Sequence, residues 1–340
     1  MTVLKYVRRL RLAPWILACT IAELIGMTAA ATAARLGLTL PGQPWTALAL
    51  VVVGGLIEGA ALGVLQGSVL SRSMPGLSRA RWFLVTTAVA GIGWAAASAS
   101  GVLSDQPSDT SAPPLWAVLI GAAALGLVMG GLLALAQLGG FRGRVRYPRR
   151  WIGISAAAWA PAMAIIFFGA TTPDASWGTG SVVVAGAATG IFAGAVLGTV
   201  SGILFPLLDG GSVGNLTVAA LLRSPARRLL GSRGVALIRV RGVVSGRVLE
   251  LPVQFATVGD RILIVPAHSS AKRWWRNFIG SAPGAIVIDG RWKSATGTVL
   301  SSGDPRYAAS ADAYRARWTR EIKPTDPVVV LILDQERSAA

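Results

Sequence analysis

The sequence has 340 residues, of which 53% are hydrophobic and only 14% are charged, and its formal net charge is +17. This composition excludes an ordinary soluble protein and indicates a membrane protein long enough for two domains. A single cysteine and a single histidine exclude an intrachain disulfide and metal sites built from cysteine or several histidines. The positive charge suits anionic lipid, and no nucleic-acid-binding motif accompanies it, so we expect no nucleic-acid partner.

Six apolar runs in the first 210 residues each approach the roughly 20 residues that cross a bilayer. The first run follows a basic segment, as a signal peptide does, but its length and the later runs favour a retained helix. Arginines cluster after the second and fourth runs, so the positive-inside rule predicts a multi-pass plasma-membrane protein with both termini in the cytoplasm. The predicted spans are residues 12–34, 45–70, 81–103, 115–138, 151–170 and 181–208.

The membrane half contains an internal repeat of three helical hairpins. A tryptophan opens each odd-numbered span, and each even-numbered span carries Gly-x-x-x-Gly followed seven residues later by a polar residue. Glycines at this spacing allow helices to approach closely, and the polar side chain can hydrogen-bond across the interface. The tryptophans are Trp15, Trp82 and Trp151, the second glycines are Gly59, Gly130 and Gly194, and the polar residues are Gln66, Gln137 and Ser201.

Two carboxyl groups, Glu23 and Glu58, lie near the middle of the first two spans. A charge at that depth is costly, so each is a candidate functional group. Neither recurs in the other repeats, and two interpretations stay open: a structural or lipid or quinone contact, or an ion pathway. The first is favoured because the span interiors hold no basic partner and no broken helix beyond Pro161.

We expect three segments: an integral membrane domain at 1–210, a linker at 211–231 and a cytoplasmic domain at 232–340. In the linker, residues 216–230 mix apolar residues with arginines, which predicts a basic amphipathic helix on the inner leaflet, interrupted by Pro225. The last segment predicts strands at 235–240, 248–258, 261–265, 285–288, 292–300 and 328–333 and a helix at 305–319. These elements indicate a small closed or nearly closed β-barrel.

The candidate site is the run of cations and large aromatics from Lys272 to Phe278. Indole rings that cover a planar ligand, beside cations that hold phosphate or carboxylate, suit an anionic cofactor. In the alternative interpretation Trp274 and Trp275 are core aromatics and the cations form a solvated rim. Tyr307 and Tyr314, seven residues apart on the predicted helix, could close the pocket or donate a proton, although ordinary helix packing is favoured.

The C-terminal motifs resemble the deazaflavin-dependent nitroreductase family, which belongs to the FMN-binding split-barrel class. The likeness covers residues 221–334 and rests on their order along the chain: the turn that ends Ser245-Gly246-Arg247, the strand with Leu251-Pro252-Val253, the Gly259-Asp260 hairpin, the Trp-Trp-Arg-Asn run and the Gly290-Arg291-Trp292 strand. The resemblance implies a split barrel, a deazaflavin coenzyme of the F-420 type or FMN, hydride transfer to a quinone or nitro-type acceptor, and a homodimer formed through the barrel.

The resemblance also extends the set of cofactor-binding candidates beyond the cations and indoles. Where family members carry two cations in the first turn, Val243 and Val244 stand here, and the family's loop lysine after the third strand is absent; Lys272 and Arg273 are candidates to replace them. The full set is Ser245, Arg247, His268, Ser269, Ser270, Lys272, Arg273, Trp274, Trp275 and Asn277.

Three functions follow from these observations. The first is a membrane-anchored reductase, because tethering raises the local concentration of a membrane quinone. The second is a non-catalytic split-barrel sensor or assembly module, which Val243 and Val244 favour. The third is a transporter regulated by the barrel, which depends on Glu23 and Glu58 alone.

Overall fold

The computed structural model describes residues 10–40, 42–103, 113–174, 176–223, 234–244, 246 and 248–334. The chain divides after Gly211 into two compact units. As predicted, long apolar helices come first and a curled antiparallel sheet follows. The eight helices of the described residues are α1 (Leu12–Gly37), α2 (Pro44–Ser73), α3 (Arg79–Leu103), α4 (Leu115–Phe141), α5 (Arg150–Thr171), α6 (Thr179–Leu204), α7 (Val213–Arg223) and α8 (Tyr307–Arg317).

The first six helices are long and apolar enough to cross a membrane, which is compatible with a multi-pass membrane protein. Their bounds lie within a few residues of the predicted spans. The last span differs, since its final turn is a 3₁₀ helix, Phe205–Asp209. Pro206 explains the change because proline has no backbone N–H to donate and its ring crowds the preceding turn. Pro161 lies inside α5 without ending it.

The six helices form a closed ring. Each even-numbered helix packs on the odd-numbered helix that follows it, and α6 packs on α1. Glycines make these interfaces possible: a Cβ built on Gly126 would lie 2.4 Å from the carbonyl oxygen of Trp159, and one on Gly194 would lie 2.6 Å from that of Cys19. A side chain at either position would push the backbones apart. The Gly-x-x-x-Gly repeats therefore mark the interfaces between successive hairpins.

The repeated tryptophans and the repeated polar residues are hydrogen-bond partners at two of these interfaces. Trp15 Nε1 donates to Ser201 Oγ at 2.9 Å, and Trp151 Nε1 donates to Gln137 Oε1 at 2.9 Å. Gln137 Nε2 in turn donates to Thr86 Oγ1 at 2.9 Å. All of these groups are buried, so each bond satisfies polar atoms that the bilayer could not.

The third interface, between α2 and α3, departs from this pattern. Gln66 Nε2 is 3.5 Å from Cys19 Sγ, and Trp82 Nε1 has no hydrogen-bond partner in the described part of the chain. The Trp82 ring instead packs edge-on against Phe141, with centroids 5.5 Å apart. An aromatic cluster thereby fills the end of the ring at which the odd-numbered helices begin; its members are Trp15, Trp82, Phe141, Trp151 and Phe205.

The C-terminal unit is a seven-stranded antiparallel sheet with strand order β2-β1-β5-β6-β7-β4-β3. The predicted strand 248–258 is divided at Phe255, whose amide donates to the carbonyl oxygen of Gly234 at 2.8 Å. Its two halves, β2 and β3, are the two edge strands and are joined through Phe255, so the sheet curls into a half-barrel rather than the closed barrel that the sequence allowed. The strands are β1 (Val235–Arg241), β2 (Val248–Gln254), β3 (Ala256–Val258), β4 (Arg261–Ile264), β5 (Ala282–Ile288), β6 (Arg291–Leu300) and β7 (Val328–Leu333).

The apolar strand β7 is central, as its sequence predicted, since it pairs with β4 and β6. Its side chains alternate between two cores. Val329 and Leu331 enter a core to which six of the strands contribute, on the inside of the curl, whereas Val328 and Val330 pack on the outside under α8. The β5–β6 hairpin turns at Asp289 and Gly290, with φ of 53° and 80°, as the Asp-Gly signal predicted.

Helix α7 forms in the predicted linker, but part of its apolar side is used within the C-terminal unit. Ala219 and Leu222 are buried against Leu237 of β1. Leu237 points to the outside of the curl, between the inward-facing Ala236 and Ile238, and needs an apolar cover. The remainder of the predicted linker helix, from residue 224, lies outside the described residues.

Candidate functional site

The candidate run of cations and indoles lies in the connection between β4 and β5. The amides of Ala271 and Lys272 both donate to the carbonyl oxygen of His268, at 3.0 and 3.1 Å. His268 adopts a left-handed conformation, with φ of 55°, that reverses the chain here. A 3₁₀ turn, Trp274–Phe278, follows. We call residues 268–278 the site loop.

The two indoles of the site loop are half-buried against the inner core of the curled sheet. Trp274 meets Phe278 edge to face, with centroids 6.5 Å apart. Trp275 Nε1 donates to the carbonyl oxygen of Ser269 at 3.1 Å, which ties the 3₁₀ turn to the preceding turn. Part of each ring is therefore core and part reaches the surface, so the core interpretation holds in part and the ligand-binding interpretation stays a prediction.

Phe278 ends the candidate run, and sequence reasoning did not predict that it is a core residue. Its ring is fully buried and occupies the space beside two strand glycines. A Cβ built on Gly297 would lie 2.3 Å from Phe278 Cδ1, and one on Gly284 would lie 3.0 Å from Phe278 Cε1. The glycines inside β5 and β6 are the sequence signal that could have indicated this packing, since a glycine in a strand often marks a place where another group approaches the backbone closely.

The cations of the site loop face solvent. Lys272, Arg273 and Arg276 are exposed, and His268 beside them is exposed as well. The guanidinium of Arg276 lies 5.3 Å from the centroid of the Trp275 ring, a cation–π contact. Among the described residues none of these cations forms an ion pair. The loop therefore offers positive charge next to partly exposed indole.

Two predicted ligand-binding side chains are instead bonded within the protein. Ser269 Oγ donates to Asp326 Oδ1 at 2.6 Å, and Asp326 Oδ2 accepts the amide of Lys323 at 3.1 Å. Asn277 Oδ1 accepts the amide of Val243 at 2.9 Å, while its Nδ2 donates to the carbonyl oxygen of Trp274 at 2.8 Å. Asn277 thereby joins the β1–β2 turn to the site loop, although the two bonded residues are 34 positions apart.

The remaining predicted cofactor-binding residues are exposed or lie outside the described part of the chain. Ser270 is exposed on the site loop, and Ser245 and Arg247 lie outside the described residues. Val243 and Val244 are strongly exposed at the tip of the β1–β2 turn. Asp326 was not singled out by sequence reasoning, although the prolines at 324 and 327 on either side of it indicate a turn.

Tyr307 and Tyr314 lie under α8, on the outer face of the sheet and away from the indoles. The hydroxyl of Tyr307 is 2.9 Å from the carbonyl oxygen of Asp326 and 3.1 Å from that of Lys323, so it holds the turn that binds Ser269. Tyr314 is fully buried. Burial raises the pKa of both hydroxyls above the ordinary tyrosine value. Neither side chain shares a face with Trp274 or Trp275, and both pack as helix residues.

No protein-family model matches the sequence, and no curated protein has significant similarity to it. The likeness to the nitroreductase family therefore remains a resemblance of motifs.

Proposed function

We propose that the C-terminal unit is the catalytic part of a membrane-anchored oxidoreductase, which binds a deazaflavin coenzyme, or FMN, and reduces a quinone or nitro-type acceptor at the inner membrane face. The arrangement of charged and aromatic side chains on the surface of the site loop supports this proposal most strongly. The exposed cations Lys272 and Arg273 lie next to the half-buried indoles, and Asn277 brings the β1–β2 turn to the same place.

The roles of the residues follow from their exposure and chemistry. Lys272, Arg273 and His268 would hold a phosphate or carboxylate tail at the surface. The exposed parts of Trp274 and Trp275 would cover a ring face and exclude water from it. The cofactor supplies the hydride chemistry when bound, so the protein needs no acid–base pair of its own. Attachment to a membrane unit concentrates a lipid-soluble acceptor near the site.

A second candidate function is a non-catalytic sensor or assembly module, and specific observations favour it. The hydroxyl of Ser269 and the amide of Asn277 are already bonded within the protein, and Phe278 fills the space beside Gly284 and Gly297. Val243 and Val244 also stand where the family carries cations. A barrel that has lost its cofactor would retain this core and lack the tail-binding groups.

A titration of the full chain in lipid nanodiscs with each cofactor distinguishes the reductase from the non-catalytic module. Oxidised deazaflavin coenzyme and FMN are added separately, and cofactor fluorescence anisotropy is followed. The reductase predicts saturation of one of them at micromolar concentration and at least a tenfold weaker affinity in Arg273→Gln, equivalent to about 1.4 kcal/mol. Lys293→Gln, an exposed lysine of β6, is the matched control and should bind as the wild type does.

A flat titration with a protein that is monodisperse and melts cooperatively would exclude the reductase and leave the module. If one cofactor binds, the next measurement is the oxidation of its reduced form by a soluble quinone and by a nitroaromatic compound. Turnover with either acceptor would establish the reaction class, and binding without turnover would assign the barrel as a cofactor-dependent sensor.

A further inference from the structure

A cavity of about 420 Å³ lies within the ring of the N-terminal unit. That volume is in the usual range of small-molecule binding sites, roughly 300–1,000 Å³. Most of its wall is apolar, from side chains such as Met27, Leu62, Met129 and Ile166. It extends from the middle of the bundle to the end where α1, α3 and α5 finish, where Arg35 and Asp174 line it. The aromatic cluster lies at the opposite end of the ring, and none of its five members lines the cavity.

The carboxyl group of Glu58 is part of the wall, about halfway along α2. Only 5% of the residue is exposed, and Glu58 Oε2 accepts a hydrogen bond from Trp94 Nε1 at 2.7 Å. Its side chain packs over Gly26, where a built Cβ would lie 2.4 Å from Glu58 Cγ. Gly26 therefore provides the space that lets a carboxyl group stand between α1 and α2.

A second carboxyl group strengthens the acidic character of this region. Glu23 is fully buried, neither of its oxygens has a hydrogen-bond partner in the described part of the chain, and it lies within electrostatic range of Glu58. The repeat does not require either acid: Met129 and Ala193 occupy the positions equivalent to Glu58, and Ala90 and Trp159 occupy those equivalent to Glu23. The two acids belong to one side of the ring and mark a local function rather than the repeat fold.

In the described part of the chain, the cavity wall holds no cation close to these acids. Arg35 is the one cation among the described lining residues, and it lies at the end of the cavity where α1 finishes, with its guanidinium donating to the carbonyl oxygen of Trp177 at 3.2 Å. A carboxylate in a low-dielectric interior needs either a proton or a cationic partner. Trp94 and Trp159 also line the cavity, and indole rings attract organic cations.

We propose that this cavity binds a lipophilic organic monocation, with an apolar body against the methionine and leucine side chains and its positive charge beside Glu58. This class of ligand follows from four observations together: the volume of the cavity, its apolar wall, the two buried carboxyl groups without a cationic partner in the described part of the chain, and the two indoles in the wall. This inference concerns the N-terminal unit alone and does not depend on any activity of the C-terminal unit.

Radiolabelled tetraphenylphosphonium is a suitable probe, added to the full chain in nanodiscs and measured by equilibrium dialysis. We expect saturable binding of one cation per chain and at least tenfold weaker binding in Glu58→Gln, which keeps an oxygen to accept from Trp94. Glu58→Asp keeps the charge and should bind within a few fold of the wild type. Glu321→Gln is the matched control, because it makes the same substitution at an exposed position outside the cavity lining and should bind the cation as the wild type does.

A second comparison uses the wild-type protein and needs no variant. Neutral triphenylphosphine oxide has a similar apolar body without the positive charge and should not displace the bound cation. The proposal is overturned if the cation does not bind saturably, if Glu58→Gln binds it as tightly as the wild type, or if the neutral oxide displaces it equally. The last result would identify an apolar lipid site.

Discussion

The indole of Trp151 donates a hydrogen bond to the side-chain oxygen of Gln137 at 2.9 Å, across the interface between α4 and α5. The same relationship recurs between Trp15 and Ser201 across the interface between α6 and α1. At these two interfaces the tryptophan that begins an odd-numbered helix and the polar residue near the end of an even-numbered helix are therefore two halves of one contact. The internal repeat is a repeat of interfaces between hairpins, not only of hairpins.

Replacing Gln137 by leucine should destabilise the N-terminal unit more than the same change at Gln66. Gln137 makes two hydrogen bonds of 2.9 Å, and its loss leaves Trp151 Nε1 and Thr86 Oγ1 buried without a partner. Because hydrogen bonds between membrane helices contribute about 0.6 kcal/mol on average and at most about 1.7, we expect a loss of about 1–2 kcal/mol. Within the described residues, Gln66 makes one long hydrogen bond, from its Nε2 to Cys19 Sγ at 3.5 Å. Unfolding by titration with sodium dodecyl sulfate measures both variants, and an equal loss would contradict the assignment.

Two glycines of α4 provide a paired test of the close helix interfaces. Gly126→Ala places a methyl group 2.4 Å from the carbonyl oxygen of Trp159, so α4 and α5 must separate. An added methyl group that a packed interface cannot accommodate typically costs about 1–3 kcal/mol. At Gly121, on the same helix, a Cβ would meet nothing within 4 Å. Gly121→Ala should leave the thermal unfolding of the detergent-solubilised protein unchanged, and similar effects of the two substitutions would argue against a packing role for Gly126.

The membrane half shows how far sequence reasoning reaches. Span length, hydropathy and the Gly-x-x-x-Gly register predicted six helices and close interfaces, because these depend on residues near one another along the chain. The pairing of Trp15 with Ser201 could not be predicted in the same way, since it joins positions 186 residues apart. The exception at Trp82 was also beyond prediction, because it depends on how Phe141 fills the neighbouring space.

Asp326 should stabilise the site loop through its side chain. Asp326→Ala removes the acceptor for Ser269 Oγ and for the amide of Lys323, and a buried donor left without a partner costs about 1–3 kcal/mol. We expect a lower melting temperature for the C-terminal unit and faster hydrogen exchange of the backbone amides of residues 268–278. Asp312→Ala is the control, because Asp312 forms only an exposed pair with Arg315, and such pairs contribute little. Unchanged exchange in Asp326→Ala would show that the loop is held by other contacts.

The two buried tyrosines predict a loss of stability at alkaline pH. Burial raises the pKa of Tyr307 and Tyr314 in the folded protein, so the folded state favours the neutral hydroxyls. Their contribution is complete below the unfolded tyrosine pKa of about 10 and declines as the pH rises through the folded values. In Tyr314→Phe this alkaline loss should be smaller than in the wild type. Denaturant unfolding at several pH values measures it, and parallel curves for the two proteins would contradict the assignment.

The sequence predicted which residues of the candidate site carry charge, but not which hydrogen bonds its polar side chains form. The cations of the site loop are exposed, as a run without nearby acids suggests. Ser269 and Asn277 are bonded to partners 57 and 34 positions away, and the sequence contains no local signal for either bond. The spacing of Tyr307 and Tyr314 indicates that they share a helix face, but not that this face lies on the opposite side of the sheet from Trp274.

The packing of α6 on α1 has a consequence for how the protein is made. Helix α1 ends at Gly37, and its partner α6 begins only at Thr179. At a synthesis rate of about 5–20 residues per second, α1 spends on the order of ten seconds in the membrane before α6 exists. Throughout that interval the surface of α1 that will receive Gly194 has no partner from its own chain. The ring therefore closes only after the last membrane helix leaves the ribosome, and truncation before α6 would leave this surface of α1 without its partner, although α1 could still pack on α2.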